Sequence, residues 1–174
     1  MLAEPYINLV SFDLTIHDLS DVAKIFAEYT KNNDVLLLSG KFGAGKTTFA
    51  RLFIKAKGIK ENLNIEEVPS PTFSLVQSYE LSYCKIAHID LYRVNSELEL
   101  FELGIPDIFD GQISLLEWPE ILEANRLSRY VSITIQETKK LKEYRDVKIE
   151  FFGSSWNDVS GALLESGHFN YEKL

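Results

Sequence analysis

The chain has a single cysteine, Cys84, among 174 residues. One thiol can make no internal disulfide and can supply no thiolate zinc cluster, which fits a reducing compartment. Glycine and proline are also sparse, at 9 and 5 residues. No stretch is dominated by Gly/Ser, Pro or one sign of charge, so long linkers and low-complexity arms are excluded, and no internal repeat of solenoid or propeller length recurs. No apolar run approaches the roughly 18 residues that a membrane-spanning helix needs. Residues 1–6 have neither a basic n-region nor an apolar h-region. A cytoplasmic, unexported protein without a membrane partner is expected. Positive charge is short as well: 18 Lys and Arg against 26 Asp and Glu leave a formal net charge of −8, which argues against a broad direct grip on nucleic-acid phosphates.

What is present is enough apolar material for a core: 45% of the residues are hydrophobic and 12% aromatic. The length suits one compact domain over residues 1–174. Val22, Ile25, Phe26 and Tyr29 follow helical spacing, with Asp18 or Ser20 available to cap the start. Residues 35–39 (VLLLS) form a short apolar run ending in glycine, as expected of a strand buried on both faces of a parallel sheet. A helix should follow over residues 46–57 and stop at Gly58. Residues 73–79, 85–90 and 113–117 read as further strands. Ser96 and Glu99 have capping-box spacing, which predicts a short helix over 96–103 that ends at Gly104 before Pro106 restarts the chain. Val131, Ile133 and Ile135, and then Val147, Ile149 and Phe151, alternate with polar residues and predict two antiparallel strands. Residues 154–165 can form a closing helix. The expected architecture is an α/β domain whose sheet is mixed but mainly parallel, flanked by helices, with antiparallel strands toward the C-terminus.

Between the first buried strand and its helix lies Gly40-Lys41-Phe42-Gly43-Ala44-Gly45-Lys46-Thr47, a complete match to G-x-x-x-x-G-K-[ST]. At this junction backbone N–H groups and a helix N-terminus can jointly hold phosphate oxygens. In this reading Lys46 reaches the terminal phosphates and the Thr47 hydroxyl goes to Mg²⁺, with Thr48 in the first helical turn. A nucleotide site also needs carboxylates at strand ends, and two candidates exist. His88, Asp90 and Tyr92 share a strand face by the period of two. Glu117 ends an apolar strand at the edge where open α/β sheets bind ligands. Either Asp90 or Glu117 can serve as the metal-side carboxylate.

With these blocks in view, the chain resembles the bacterial TsaE (YjeE) family of P-loop ATPases, which take part in the N6-threonylcarbamoyladenosine modification of tRNA. The resemblance rests on residues 40–49 (GKFGAGKTTF), 70–76 (SPTFSLV), 88–93 (HIDLYR), the Glu-Leu pattern of 97–104, and 116–120 (LEWPE). It implies a P-loop NTPase-like fold and ATP and Mg²⁺ as cofactors. Gly43, Ala44, Gly45, Lys46, Thr47 and Thr48 would hold the ATP phosphates, and Thr47 with Glu117 the metal. Asp90 would be the carboxylate needed for hydrolysis, Thr72 part of a responsive loop near the γ-phosphate, and Trp118 the neighbour of the metal carboxylate. It further implies the TsaD–TsaB transferase pair as partner, with tRNA met only through that complex. Two departures stand out. Lys41 occupies a position that is usually acidic in the family, and the family's late Gly-Arg pair is not evident near Arg145. No site is carried over to the C-terminal fifty residues.

Two other functions share the loop. A small-molecule kinase would need an acceptor pocket and several arginines around the transferred group, and Arg51, Arg93, Arg126, Arg129 and Arg145 are scattered. A nucleotide-gated binding module would keep Lys46 and Thr47 and tolerate loss of Asp90.

Overall fold

The structure is a computed structural model that describes residues 6–122, 124, 127–138, 141 and 143–172. Residues 1–5, read above for export signals, and Arg126 lie outside the described residues. In chain order the elements are β1 (Ile7–Leu14), α1 (Ile16–Tyr29), β2 (Val35–Ser39), α2 (Lys46–Lys60), β3 (Val76–Glu80), β4 (Lys85–Asp90), α3 (Glu97–Glu102), α4 (Ile105–Ile108) and β5 (Ile113–Glu117). A 3-10 turn (Pro119–Ile121), β6 (Tyr130–Glu137), β7 (Arg145–Phe152), α5 (Asn157–Glu165) and β8 (Asn170–Tyr171) complete them.

Val35, Leu36, Leu37 and Leu38 are buried on both faces, so β2 can only sit inside a sheet covered above and below. It does so in the strand order β3-β4-β5-β2-β6-β7-β1-β8. The four central strands β4, β5, β2 and β6 are parallel, as expected. Antiparallel strands lie at both margins: β3 on β4, and β7, β1 and β8 on the other side. The sheet is thus parallel at its centre, and its antiparallel part is not confined to the C-terminal strands.

One face packs under α1, α2 and α5, where Phe26, Phe49, Phe53, Phe151 and Trp156 are fully buried; burying each such side chain stabilises the fold by about 1.5–3 kcal/mol. The other face carries Val35, Leu37, Ile89 and Leu116 under Leu100 and Ile105 of the short helices. No helix is long and apolar enough to cross a membrane among the described residues.

Local chemistry corrects several boundaries. The cap of α1 is Thr15, and Asp18 is its reciprocal partner: the Thr15 hydroxyl accepts from the Asp18 N–H, while the Asp18 carboxylate accepts from the Thr15 N–H at 2.8 Å. Helix α2 runs past Gly58 to Lys60. Ser96 does cap α3, accepting from the Glu99 N–H, and Pro106 falls within the single turn of α4. β3 begins at Val76, three residues late. The Pro71 carbonyl accepts from the Leu75 N–H at 2.7 Å and Leu75 has φ +64°, so this turn leaves Phe73 exposed.

Candidate functional site

The parallel register places Asp90 of β4 directly opposite Glu117 of β5, and Glu117 opposite Leu38 of β2. Three strand ends therefore meet where the glycine-rich loop leaves β2. By the period of two, His88, Asp90 and Glu117 all face the α2 side. Both carboxylates are almost wholly buried, Asp90 3% and Glu117 2% exposed. Buried charges must be partnered, and these are.

Glu117 is held at both oxygens. The Thr47 hydroxyl donates to Oε2 at 2.7 Å, and His88 Nε2 lies 2.8 Å from Oε1. Asp90 accepts from the Thr72 hydroxyl at 2.6 Å and, through its other oxygen, from the Tyr92 N–H at 2.9 Å. Ser70 Oγ is 2.9 Å from Thr72 Oγ1, extending the chain of hydroxyls. β4 stops at Asp90, so Tyr92 is not on the strand face with His88. It lies on the turn, half exposed, with its ring 5.0 Å from that of Trp118.

The loop is shaped by glycine at Gly43 and Gly45, whose φ values are +79° and +117°, a region that costs other residues strain. Gly45 is the N-cap of α2 and no side chain caps the helix, leaving first-turn N–H groups for an anion. Lys46 is 4% exposed. Its ammonium donates to the carbonyls of Gly40 at 2.7 Å and Lys41 at 3.0 Å, and it sits 3.7 Å over the Trp118 ring, an added cation–π contact. Burial pushes the Lys46 pKa below its usual range, while the carboxylates of Glu117, Glu120 and Asp90 oppose that shift.

These groups line a cavity of about 310 Å³ that brings together Gly43, Gly45, Lys46, Thr47, Thr48, Thr72, Asp90, Glu117 and Trp118. Ala44 is buried behind the loop, consistent with a backbone role for this position. The residues that the resemblance assigns to phosphates, metal and hydrolysis thus lie together, Ala44 behind the loop and the others around the cavity. The side chain of Lys41 is exposed, and the contribution of that residue to the Lys46 contacts is its carbonyl.

The donor set suits a hard cation shared with a ligand. Among the described residues no three of His, Cys, Asp and Glu cluster as a metal cage. One hydroxyl and one carboxylate beside an anion cradle is the arrangement in which Mg²⁺ binds, completed by phosphate oxygens and water.

Arg145 was missed. Its Nε–H donates to the Ala44 carbonyl at 2.6 Å, so a residue from the start of β7 buttresses the loop across 101 positions of sequence. No local motif marks it; only the pairing of β6 with β2 and of β7 with β6 brings it there. The other described arginines assemble no clamp. Arg51 lines the cavity but donates to the Val68 carbonyl, Arg93 lies 5.9 Å from the Phe73 ring, and Arg129 pairs with Asp34.

A sequence model of "Threonylcarbamoyl adenosine biosynthesis protein TsaE" matches residues 15–147. The chain is 46% identical over 102 residues to the "tRNA threonylcarbamoyladenosine biosynthesis protein TsaE" of Rickettsia felis, covering 59% of this chain and 57% of that protein. It is 36% identical over 135 residues to the protein of that name from Rickettsia typhi, covering 78% of this chain and 91% of the relative. In three dimensions it resembles Bacillus subtilis YdiB, with TM-score 0.67 and 21% identity over 92% of this chain and 96% of the other, a likeness of fold.

Proposed function

The chain belongs to the TsaE family of threonylcarbamoyl adenosine biosynthesis proteins, and from that premise we propose that it is an Mg²⁺-dependent ATP hydrolase. In this reading it serves the formation of N6-threonylcarbamoyladenosine on tRNA in the cytoplasm, acting with the TsaD–TsaB pair. The observation that carries it is the meeting of Lys46, the Thr47–Glu117 pair and the Thr72–Asp90 pair in one cavity at an uncapped helix N-terminus. A P-loop ATPase needs a phosphate cradle, a metal-side carboxylate and a residue that positions the attacking water, a role Asp90 can fill here.

Bound ATP with Mg²⁺ would supply the transferable phosphoryl group and part of the charge that stabilises its transfer. The chain's own groups do the rest. The amides of residues 43–48 would hold phosphate oxygens, and the Lys46 ammonium, which now donates to the Gly40 and Lys41 carbonyls, would hold the terminal phosphates. Thr47 and Glu117 would present hard oxygens to the metal. Asp90, released from the Thr72 hydroxyl, orients a water molecule and takes its proton at Oδ2. Trp118 covers Lys46 and restricts water there. The net charge of −8 suits a role that reaches tRNA through a protein complex.

A second reading draws on one contact, the Thr72–Asp90 hydrogen bond of 2.6 Å: a nucleotide that displaces this bond could act chiefly by resetting the Thr72 loop as a docking element. The deciding experiment is nucleotide binding, phosphate release and reconstituted tRNA modification with TsaD and TsaB, comparing wild type, Lys46→Ala and Asp90→Ala. Lys46→Ala should lose nucleotide binding. Asp90→Ala should bind normally and lose about 10²–10⁴-fold in hydrolysis, the usual worth of a positioned acid–base group. Unchanged hydrolysis by Asp90→Ala refutes its assignment, and full tRNA modification by that variant favours the docking reading.

A further inference from the structure

We infer that His88 is a positioning residue for the metal: it fixes the Glu117 carboxylate so that Oε2 is presented beside the Thr47 hydroxyl. The inference rests on the nucleotide reading above and adds to it a residue that touches neither nucleotide nor metal.

The geometry is specific. His88 is completely buried and Glu117 2% exposed, so their 2.8 Å contact lies where water does not screen it. An ionised carboxylate only accepts hydrogen bonds, so Nε2 is the donor to Oε1. Thr47 donates to Oε2. Two donors, one at each oxygen, fix the rotation of the carboxylate, which a single bond at Oε2 would leave free to turn. Register makes this possible: His88 is opposite Leu115, and Glu117 is two residues further along the same face of the neighbouring strand.

The other ring nitrogen points to function over packing. Nδ1 has no hydrogen-bond partner among the described residues, although it is buried. An orphaned buried polar atom is a penalty that an apolar side chain in this strand would avoid. Ile86, two residues earlier on the same face of β4, and Leu115, opposite His88 on β5, are fully buried and apolar, so the interior here accommodates such a side chain. A histidine at position 88 is therefore explained by what Nε2 does. Partners of this kind orient metal ligands in many proteins, and removing one typically weakens metal affinity or activity by about 10–100-fold.

The test measures the affinity of a fluorescent ADP analogue against Mg²⁺ concentration and in excess chelator, with the melting temperature of each variant recorded. His88→Leu should raise the Mg²⁺ concentration for half-maximal enhancement of binding by about 10–100-fold and leave metal-free affinity within about twofold. His88→Gln, whose amide nitrogen reaches the position of Nε2, should restore the wild-type Mg²⁺ dependence. His88→Asn, one bond shorter, should not. A wild-type Mg²⁺ dependence in His88→Leu overturns the inference, as does parallel loss of metal-free affinity and melting temperature, the signature of a purely structural role. If His88→Leu does not fold, equal Mg²⁺ dependence in the Gln and Asn variants overturns it. A wild-type protein that binds the analogue without any response to Mg²⁺ refutes the metal reading itself, a result distinct from failure of His88 alone.

Discussion

Gly40→Ala and Gly43→Ala lie three residues apart in one loop, and the structure assigns them very different costs. A Cβ on Gly40 would stand 2.2 Å from the carbonyl oxygen of Ile135 and 3.2 Å from Ala44 Cβ, whereas one on Gly43 meets nothing within 4 Å. Both residues have positive φ, +141° and +79°, so alanine at either position adds backbone strain of about 1–2 kcal/mol. Gly40→Ala carries a second penalty. Its Cβ would sit more than about 1 Å inside ordinary contact with the backbone of β6, which is held by pairing to both β2 and β7. Forcing the loop or the strand to give is an overpacking defect of about 1–3 kcal/mol. The expected destabilisation is about 2–5 kcal/mol for Gly40→Ala and about 1–2 kcal/mol for Gly43→Ala. At about 2–4 °C per kcal/mol for a chain of this size, that separates the two melting temperatures by several degrees. Urea denaturation with the slope checked for constancy gives the free energies, and the fluorescent nucleotide analogue reports whether displacement of the loop weakens binding. Equal destabilisation of the two variants, within about 0.5 kcal/mol, would refute the claimed contact between the loop and β6.

Two further outcomes follow from the structure. The Thr15 hydroxyl and N–H hold the Asp18 carboxyl below its usual range, so its contribution is present above the unfolded pKa of about 3.9 and is lost as pH falls through the lower folded value. Asp18→Asn should therefore cost about 0.3–1 kcal/mol at pH 7 and 5 and progressively less below pH 4 in urea titrations; a difference that stays constant to pH 2 contradicts the capping assignment. Burial, reinforced by the Glu61 carboxylate, pushes the Cys84 thiol up to about 11, which at pH 8 leaves about 200-fold less thiolate than an ordinary cysteine has. Native protein should react with a disulfide reagent at least about tenfold more slowly than unfolded protein, since the smaller thiolate fraction outweighs the greater nucleophilicity of a high-pKa thiolate, and equal native and unfolded rates contradict it.

The site was legible wherever chemistry restricts residue type within a short segment. The run Val35 to Leu38, the loop Gly40 to Thr47, and the strand-end acids Asp90 and Glu117 each declare themselves locally, because burial on both faces, a glycine-rich turn between strand and helix, or a carboxylate ending an apolar strand leaves few alternatives. What escaped depends on distant pairing. β1 was not foreseen since Asp13 with φ +58° and a register shift between Ser11 and Leu14 break its alternation, and Ser11 is a buried polar residue within it. β8 has only two residues, too few to show a period. The expected strand starts at Phe73, yet the Pro71–Leu75 turn leaves that residue exposed ahead of the strand. Arg145 and the His88 bond to Glu117 become visible only when strands from separate parts of the chain are laid side by side.

The central position of β2 also sets when the site can exist during synthesis. β2 pairs with residues 114–117 and 130–134, the loop after it leans on Ile135, and Arg145 holds Ala44. A growing chain that has reached residue 112 already contains the glycines, Lys46, Thr47, Thr72 and Asp90, but has no parallel partner for β2 and no Glu117. Contacts of such long sequence separation carry a large loop-closure cost, so the three strand ends and the glycine-rich loop should come together only after β7 has begun to leave the ribosome.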